Sequence, residues 1–226
     1  MIGIIGAMDM EINGLRAAMQ SVREEQVGSL TFYCGALGRE EIVLVKSGVG
    51  KVFAALCAQT MILQYHPQYI INTGVAGALH PDLHIAAIVV GSAAVQHDMD
   101  TSALGDPVGL ISGMNLIEIP TDQALSEQLS AVAQSLGIQT AAGVIASGDQ
   151  FIGAAEEKQR IAEQFHAIAC EMEGGAIAQV CRANDVPFAL LRAISDGAGG
   201  DGATDYTAFA KLAADQSIRL LSAFLR

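Results

Sequence analysis

Basic residues are scarce in this sequence: 12 lysines and arginines stand against 24 aspartates and glutamates in 226 residues, a formal charge of −12. A phosphate backbone would find little to grip, which argues against nucleic-acid binding. Cysteine is limited to Cys34, Cys57, Cys170 and Cys181, with no C-x-x-C pair. That usage suits reduced thiols in a cytosol better than a disulfide framework. Long hydrophobic runs are missing too. The longest uncharged apolar stretch, Ile85 to Val95, is interrupted by Gly91 and Ser92 and is too short for a membrane span. The opening MIGIIGAM lacks a basic leader and runs into Asp9 and Glu11, so no signal peptide is expected. There is no internal repeat, low-complexity tract or linker, and one domain over residues 1–226 is expected.

A hydrophobic fraction of 51% argues for a substantial core rather than disorder. The pattern alternates buried strands with helices. Met1–Gly6 is a predicted buried strand, followed by a helix with Met10, Leu15 and Ala18 inward. Val27–Leu37 and Glu41–Ser47 form a predicted meander. A Gly-rich turn at Ser47–Lys51 opens a helix to about Tyr65. Strands are predicted at Tyr69–Thr73, Ile85–His97 and Gln139–Ser147, and helices over about 121–136 and 155–164. The segment 98–114, with Gly105, Pro107, Gly109 and Gly113, is a predicted loop. A last amphipathic helix, capped by Ala203 or Thr204, ends near Arg226. The expected fold is a three-layer α/β/α domain with a mixed, strongly twisted central sheet.

The stretch Ile168–Asp196 carries the densest chemistry. Glu173 opens a helix beside Gly174, Gly175 and Ala176. Asn184-Asp185 ahead of Val186-Pro187 stops that helix. Phe188–Ile194 is then an apolar run broken only by Arg192, and Ser195-Asp196-Gly197 follows where the strand emerges. A buried cation needs a partner, so Glu173, Arg192 and Asp196 are expected to meet in one pocket. Glu11 follows the first strand in the same way. Three acids with one arginine suit a neutral polyhydroxylated substrate: one can take a vicinal diol, one can donate a proton and one can activate water.

Other motifs fail on spacing. Ser47-Gly48-Val49-Gly50-Lys51 resembles the end of a P-loop, but the motif's first Gly and its Ser or Thr fall on Val45 and Val52. Gly3-Ile4-Ile5-Gly6 lacks the dinucleotide spacing. His80 and His84 are separated by Pro81 and have no further ligand cluster, and His97-Asp98 stands alone, so no metal is expected. No G-x-S-x-G elbow is present. A phospho-receiver reading of Asp9 and Glu11 fails because Lys46-Ser47-Gly48 occupies the region where the acceptor Asp belongs.

Six blocks in order carry a resemblance. They are Ile2–Met8 with Glu11, Lys46–Val52, Ile71–Gly77, Ser147-Gly148-Asp149 with Phe151-Ile152, Glu171-Met172-Glu173, and Arg192–Asp196. Together they resemble the 5′-methylthioadenosine/S-adenosylhomocysteine nucleosidase family of the nucleoside phosphorylase superfamily over essentially the whole chain. The resemblance implies hydrolysis of the adenine–ribose bond without a cofactor. It implies Asp196 as the acid that protonates purine N-7, helped by Ser195, and Glu11 as the base that activates water. Glu173 would bind the ribose hydroxyls with Arg192 orienting it. Phe151 would stack on adenine and Ile152 would offer backbone groups to its edge. Met8, Val49, Met172 and Phe209 would line the sugar and thioalkyl side, with Val75 and Gly77 also on the substrate. For Asp196 to hold a proton near neutrality, burial or a neighbouring negative charge is expected.

The resemblance also implies a homodimer acting on a small adenine nucleoside in the cytoplasm, in methionine salvage. Residues 102–114 depart from the family pattern, which leaves the choice among methylthioadenosine, S-adenosylhomocysteine, deoxyadenosine and aminofutalosine-type nucleosides open. Two rival readings remain: a phosphate-dependent purine nucleoside phosphorylase, against which stands the absence of a cation near Glu11, and a non-catalytic nucleoside sensor, against which stand the three intact carboxylates.

Overall fold

The computed structural model describes residues 1–199 and 202–226. In chain order the elements are β1 (Ile2–Gly6), α1 (Asp9–Ala18), β2 (Gln20–Val27), β3 (Leu30–Leu37), β4 (Glu40–Lys46), α2 (Lys51–Tyr65), β5 (Ile70–Ala78) and β6 (Ile88–Gln96). Then come β7 (Ile119–Pro120), α3 (Gln123–Ser135), β8 (Thr140–Ser147), α4 (Ala155–Phe165), β9 (Ala167–Glu171), α5 (Gly174–Ala183), β10 (Phe188–Asp196) and α6 (Gly202–Phe224).

The strands form one mixed sheet. Along it run β2, β3, β4, β1, β5, β10, β6, β8 and β9, and β9 returns to pair with β5. The last five therefore close into a ring, while β2–β4 extend as an antiparallel flap. β1 lies between two parallel partners, β4 and β5. A strand so placed is covered on both faces, which explains its unbroken apolar sequence. Ile5 packs with Ala54, Cys57 and Ile177 of α2 and α5 on one face. Ile2 and Ile4 pack with Ile12, Leu129 and Leu220 of α1, α3 and α6 on the other. A third cluster joins Val95, Ile161 and Phe165 under α4. The expected three layers and mixed sheet are present.

Several boundaries differ from the sequence expectation. β2 had no counterpart there: its residues are mostly exposed and polar or charged, because it is the outer edge of the flap. Charged side chains and exposure protect such an edge but erase the apolar alternation that marks a strand. β9, only five residues long, was not among the expected strands. β5 runs on to Ala78 instead of stopping at Thr73, since Gly74–Gly77 continue to pair with β10. α6 begins at Gly202, so Ala203 and Thr204 stand in its first turn rather than capping it. Segment 98–114 is irregular as expected, and the irregularity runs on to 118, with a 3₁₀ turn at Ser102–Leu104 and a single bridge between Ile111 and Leu116.

Candidate active site

A cleft of about 470 Å³ opens at the carboxyl ends of β1, β5 and β10, where open α/β sheets place their ligands. Glu11, Glu173 and Asp196 all line it, with Met8, Val49, Val75, Gly77, Phe151, Met172 and Ser195. A side recess between Phe151, Ile152, Met172 and Asp196 adjoins it. No lysine, arginine or histidine is among the described residues lining either space.

Glu11 is held by the start of its own helix. Its Oε2 accepts the backbone N–H groups of Ala7 at 2.7 Å and Met8 at 2.9 Å, and its Oε1 accepts that of Val75 at 3.0 Å. Burial pushes its carboxyl above the ordinary value, against the pull of Arg192 and those three N–H groups. Two glycines make room for the acids. A Cβ on Gly74 would come within 2.8 Å of Glu11 Oε1, and one on Gly77 within 2.7 Å of Asp196 Oδ2. The small residues that disguise the end of β5 are thus what lets two carboxylates reach the cleft.

Glu173 caps α5, and its Oε1 accepts the Gly50 N–H at 2.7 Å. This joins the Gly-rich turn before α2 to a helix start more than a hundred residues later. Burial and the nearby Glu171 charge push the Glu173 carboxyl up to about 8.

Arg192 does not pair with Glu173. It is 1% exposed and its guanidinium closes on Glu171 Oε2 at 2.5 Å, with further bonds to the Asn72 carbonyl at 2.9 Å and to the Asn72 side chain. Burial opposes ionisation of Glu171, but Arg192, the Ser147 hydroxyl and the Gly174 N–H outweigh it and hold that carboxyl below its ordinary value. Glu171 Oε2 in turn accepts the N–H groups of Glu173 at 3.0 Å and Gly174 at 2.7 Å. Arg192 therefore reaches Glu173 only through Glu171 and lies behind the cleft, not on its lining. Regular alternation would put Arg192 and Asp196 on one face of β10; the bulge between Ile194 and Asp196 breaks that register, leaving Arg192 inward and Asp196 on the cleft.

Asp196 is 1% exposed. Its Oδ1 accepts the Ser195 hydroxyl at 2.9 Å and its Oδ2 meets the Lys158 ammonium at 2.5 Å. Of the burial or neighbouring negative charge expected around Asp196, burial is present, and the neighbouring charge is a cation. Lys158 was missed by sequence reasoning, yet a signal existed: it falls on the same inward stripe of α4 as Ile161 and Phe165.

Phe209 is misplaced in the sequence reading. It is 38% exposed on α6 and absent from the cleft lining, and Tyr206, one turn earlier, takes that place. The Tyr206 hydroxyl donates to Met8 Sδ at 3.3 Å and its ring meets Phe151 edge-on at 5.5 Å. Helical rotation moves the inward position by three residues, a shift too fine to read without the packing. Ala7, Ala76, Cys170 and Glu171 are further lining residues that the sequence reading did not assign to the substrate.

The chain is 38% identical over 226 residues to the 5′-methylthioadenosine/S-adenosylhomocysteine nucleosidase of Staphylococcus aureus (strain JH9), covering 100% of this chain and 99% of the relative. Among solved structures it resembles the nucleosidase of that name from Neisseria meningitidis in complex with methylthio-immucillin-A. The TM-score is 0.95 and the identity 33%, over 99% of this chain and 97% of that one. It also resembles the futalosine hydrolase of Helicobacter pylori strain 26695, with a TM-score of 0.94 and 38% identity, over 99% of this chain and 96% of that one. A family description, the phosphorylase superfamily, matches residues 1–226, and the chain belongs to that superfamily.

Proposed function

We propose that this protein hydrolyses the N-glycosidic bond of 5′-methylthioadenosine and S-adenosylhomocysteine, releasing adenine and the thioribose product. The observation that carries the reading is a cleft lined by Glu11, Glu171, Glu173 and Asp196 and by no cation among its described residues. A phosphorylase must hold phosphate at the nucleophile's position, and Glu11 there would repel it. Water, in contrast, needs a base to take its proton.

Adenine leaves poorly as an anion, and a sugar oxocarbenium ion develops as the bond breaks. Asp196 delivers a proton to N-7, with Ser195 fixing its Oδ1. Glu173 takes the ribose hydroxyls, its carboxyl standing beside the sugar on which positive charge develops. Glu11 activates the attacking water. Phe151 and Tyr206 flank the base and sugar, Ile152 lies in the recess for the purine edge, and Met8, Val49, Val75, Gly77 and Met172 complete the walls. Arg192 keeps Glu171 ionised so that Glu171 can hold the backbone of Glu173.

The 5′ substituent is the open side of the substrate. The Helicobacter pylori relative supports testing futalosine-type nucleosides beside methylthioadenosine and S-adenosylhomocysteine. Val52, Phe53, Leu56 and Leu63 stand exposed along α2, an apolar stripe fit for a second copy of this chain, and a homodimer is part of the proposal. A cytoplasmic setting and a place in methionine salvage complete it. The four cysteines, all buried free thiols, support a reducing compartment. The test is purified protein with methylthioadenosine in phosphate-free buffer, followed by chromatography. Adenine is expected without phosphate, and a strict phosphate requirement would refute hydrolysis.

A further inference from the structure

Lys158 is a cation in the interior, 1% exposed on the inward stripe of α4. Its ammonium touches Asp196 Oδ2 at 2.5 Å and the Gly197 carbonyl at 2.6 Å. The Asp196 side chain is 2% exposed and its other oxygen is taken by Ser195. Asp196 lines the cleft, so a nucleoside seated there would shut it off from bulk solvent. Ser195 gives up no proton at ordinary pH. Cys170, the thiol nearest this pair, is pushed up to about 12 by burial and stays neutral. The ammonium is the acidic donor that touches the carboxylate among the described residues. An acid that must protonate a purine is, in this structure, already ion-paired.

We propose that Lys158 is the positioning residue of the acid and stores the proton that Asp196 passes to the leaving base. This rests on the reading of Asp196 as general acid. An N–H bond of Lys158 breaks as an O–H bond forms on Asp196. That O–H bond then breaks as the proton joins purine N-7, while the bond from the sugar to the base breaks and its electron pair stays with adenine. Lys158 is left a neutral amine beside the Asp196 anion, water adds to the sugar with its proton going to Glu11, and after product leaves Glu11 releases that proton to solvent while a solvent proton restores the ammonium. The Gly197 carbonyl keeps the amine in place through the cycle.

Two substitutions separate proton storage from charge alone. Lys158→Met removes both. Lys158→Arg keeps a cation beside Asp196, but a guanidinium does not give up a proton in proteins. Each is assayed with methylthioadenosine and with a 4-nitrophenyl riboside, whose leaving group departs without protonation. Both variants are expected to lose ~10²-fold or more in kcat for adenine release, with KM little changed and nitrophenolate release slowed far less. A folded variant that releases adenine at the wild-type rate, or that slows both leaving groups alike, overturns the proposal. Wild-type protein gives an independent reading in mixtures of light and heavy water. Curvature of rate against deuterium fraction is expected to be greater for methylthioadenosine than for the nitrophenyl riboside, and equal curves overturn the relay. Asp196→Asn, run in parallel, tells the two failures apart: if it still releases adenine, the acid assignment itself is wrong, and if it is inactive while the Lys158 variants work, only the relay is wrong.

Discussion

Arg192 and Glu171, 21 residues apart in the chain, form a buried ion pair at 2.5 Å in the wall of the cleft, and Glu171 is not the acid that the sequence suggested as Arg192's partner. The pair shapes the site through the backbone: Glu171 accepts the N–H groups that open α5, and those N–H groups place Glu173. Removing one member of a buried pair leaves the other charge uncompensated, typically at about 3–5 kcal/mol. Arg192→Met is expected to lose stability on that scale in urea unfolding, and a loss well under 1 kcal/mol would contradict a structural role for the pair.

Asp196→Asn and Glu11→Gln are expected to lower adenine release by roughly 10²–10⁴-fold each, measured as kcat on methylthioadenosine. Calorimetry with a non-hydrolysable adenine nucleoside should show that Asp196→Asn still binds. Wild-type turnover in either variant would remove the role assigned to that residue.

Gly77→Ala probes the close approach of β5 to the acid. The added methyl would lie 2.7 Å from Asp196 Oδ2, too near for the carboxyl to keep its place. A folded protein with much reduced kcat is expected, by circular dichroism and the adenine assay together. Unchanged kcat would mean that Asp196 tolerates displacement.

Glu173 gives a pH signature. Its carboxyl is raised in the folded protein from an ordinary 4.5 to about 8, so between these values the folded state holds a proton that the unfolded chain has released. The stability this contributes is full below about 4.5 and is lost as pH rises toward about 8. Thermal unfolding of the ligand-free protein should show Tm falling over that window, and Glu173→Gln, which cannot ionise, should flatten the fall. Identical slopes would contradict burial as the cause.

Much of this architecture was legible in the chain. β1, α2, α5 and β10 show unmistakable periodicity or unbroken apolar runs, and Glu11, Glu173 and Asp196 stand where buried strands end. What was hidden depends on packing. β2 conceals itself because an exposed edge strand needs no apolar face. Tyr206 and Phe209 share one helix, and only the angle at which α6 meets the sheet decides which ring enters the cleft. Arg192's true partner was two residues from the expected one, since Glu171 ends a strand too short to announce itself. Lys158 is a charge on an apolar stripe, a conflict visible in the sequence whose resolution by Asp196 is a tertiary fact.

The most direct test of the chemistry is a crystal structure with methylthio-immucillin-A bound. Asp196 is expected within hydrogen-bonding distance of the purine N-7 equivalent, and a water held by Glu11 on the opposite side of the sugar. Both carboxylates on one side of the scissile position, or either of them away from it, would contradict hydrolysis by this acid and this base.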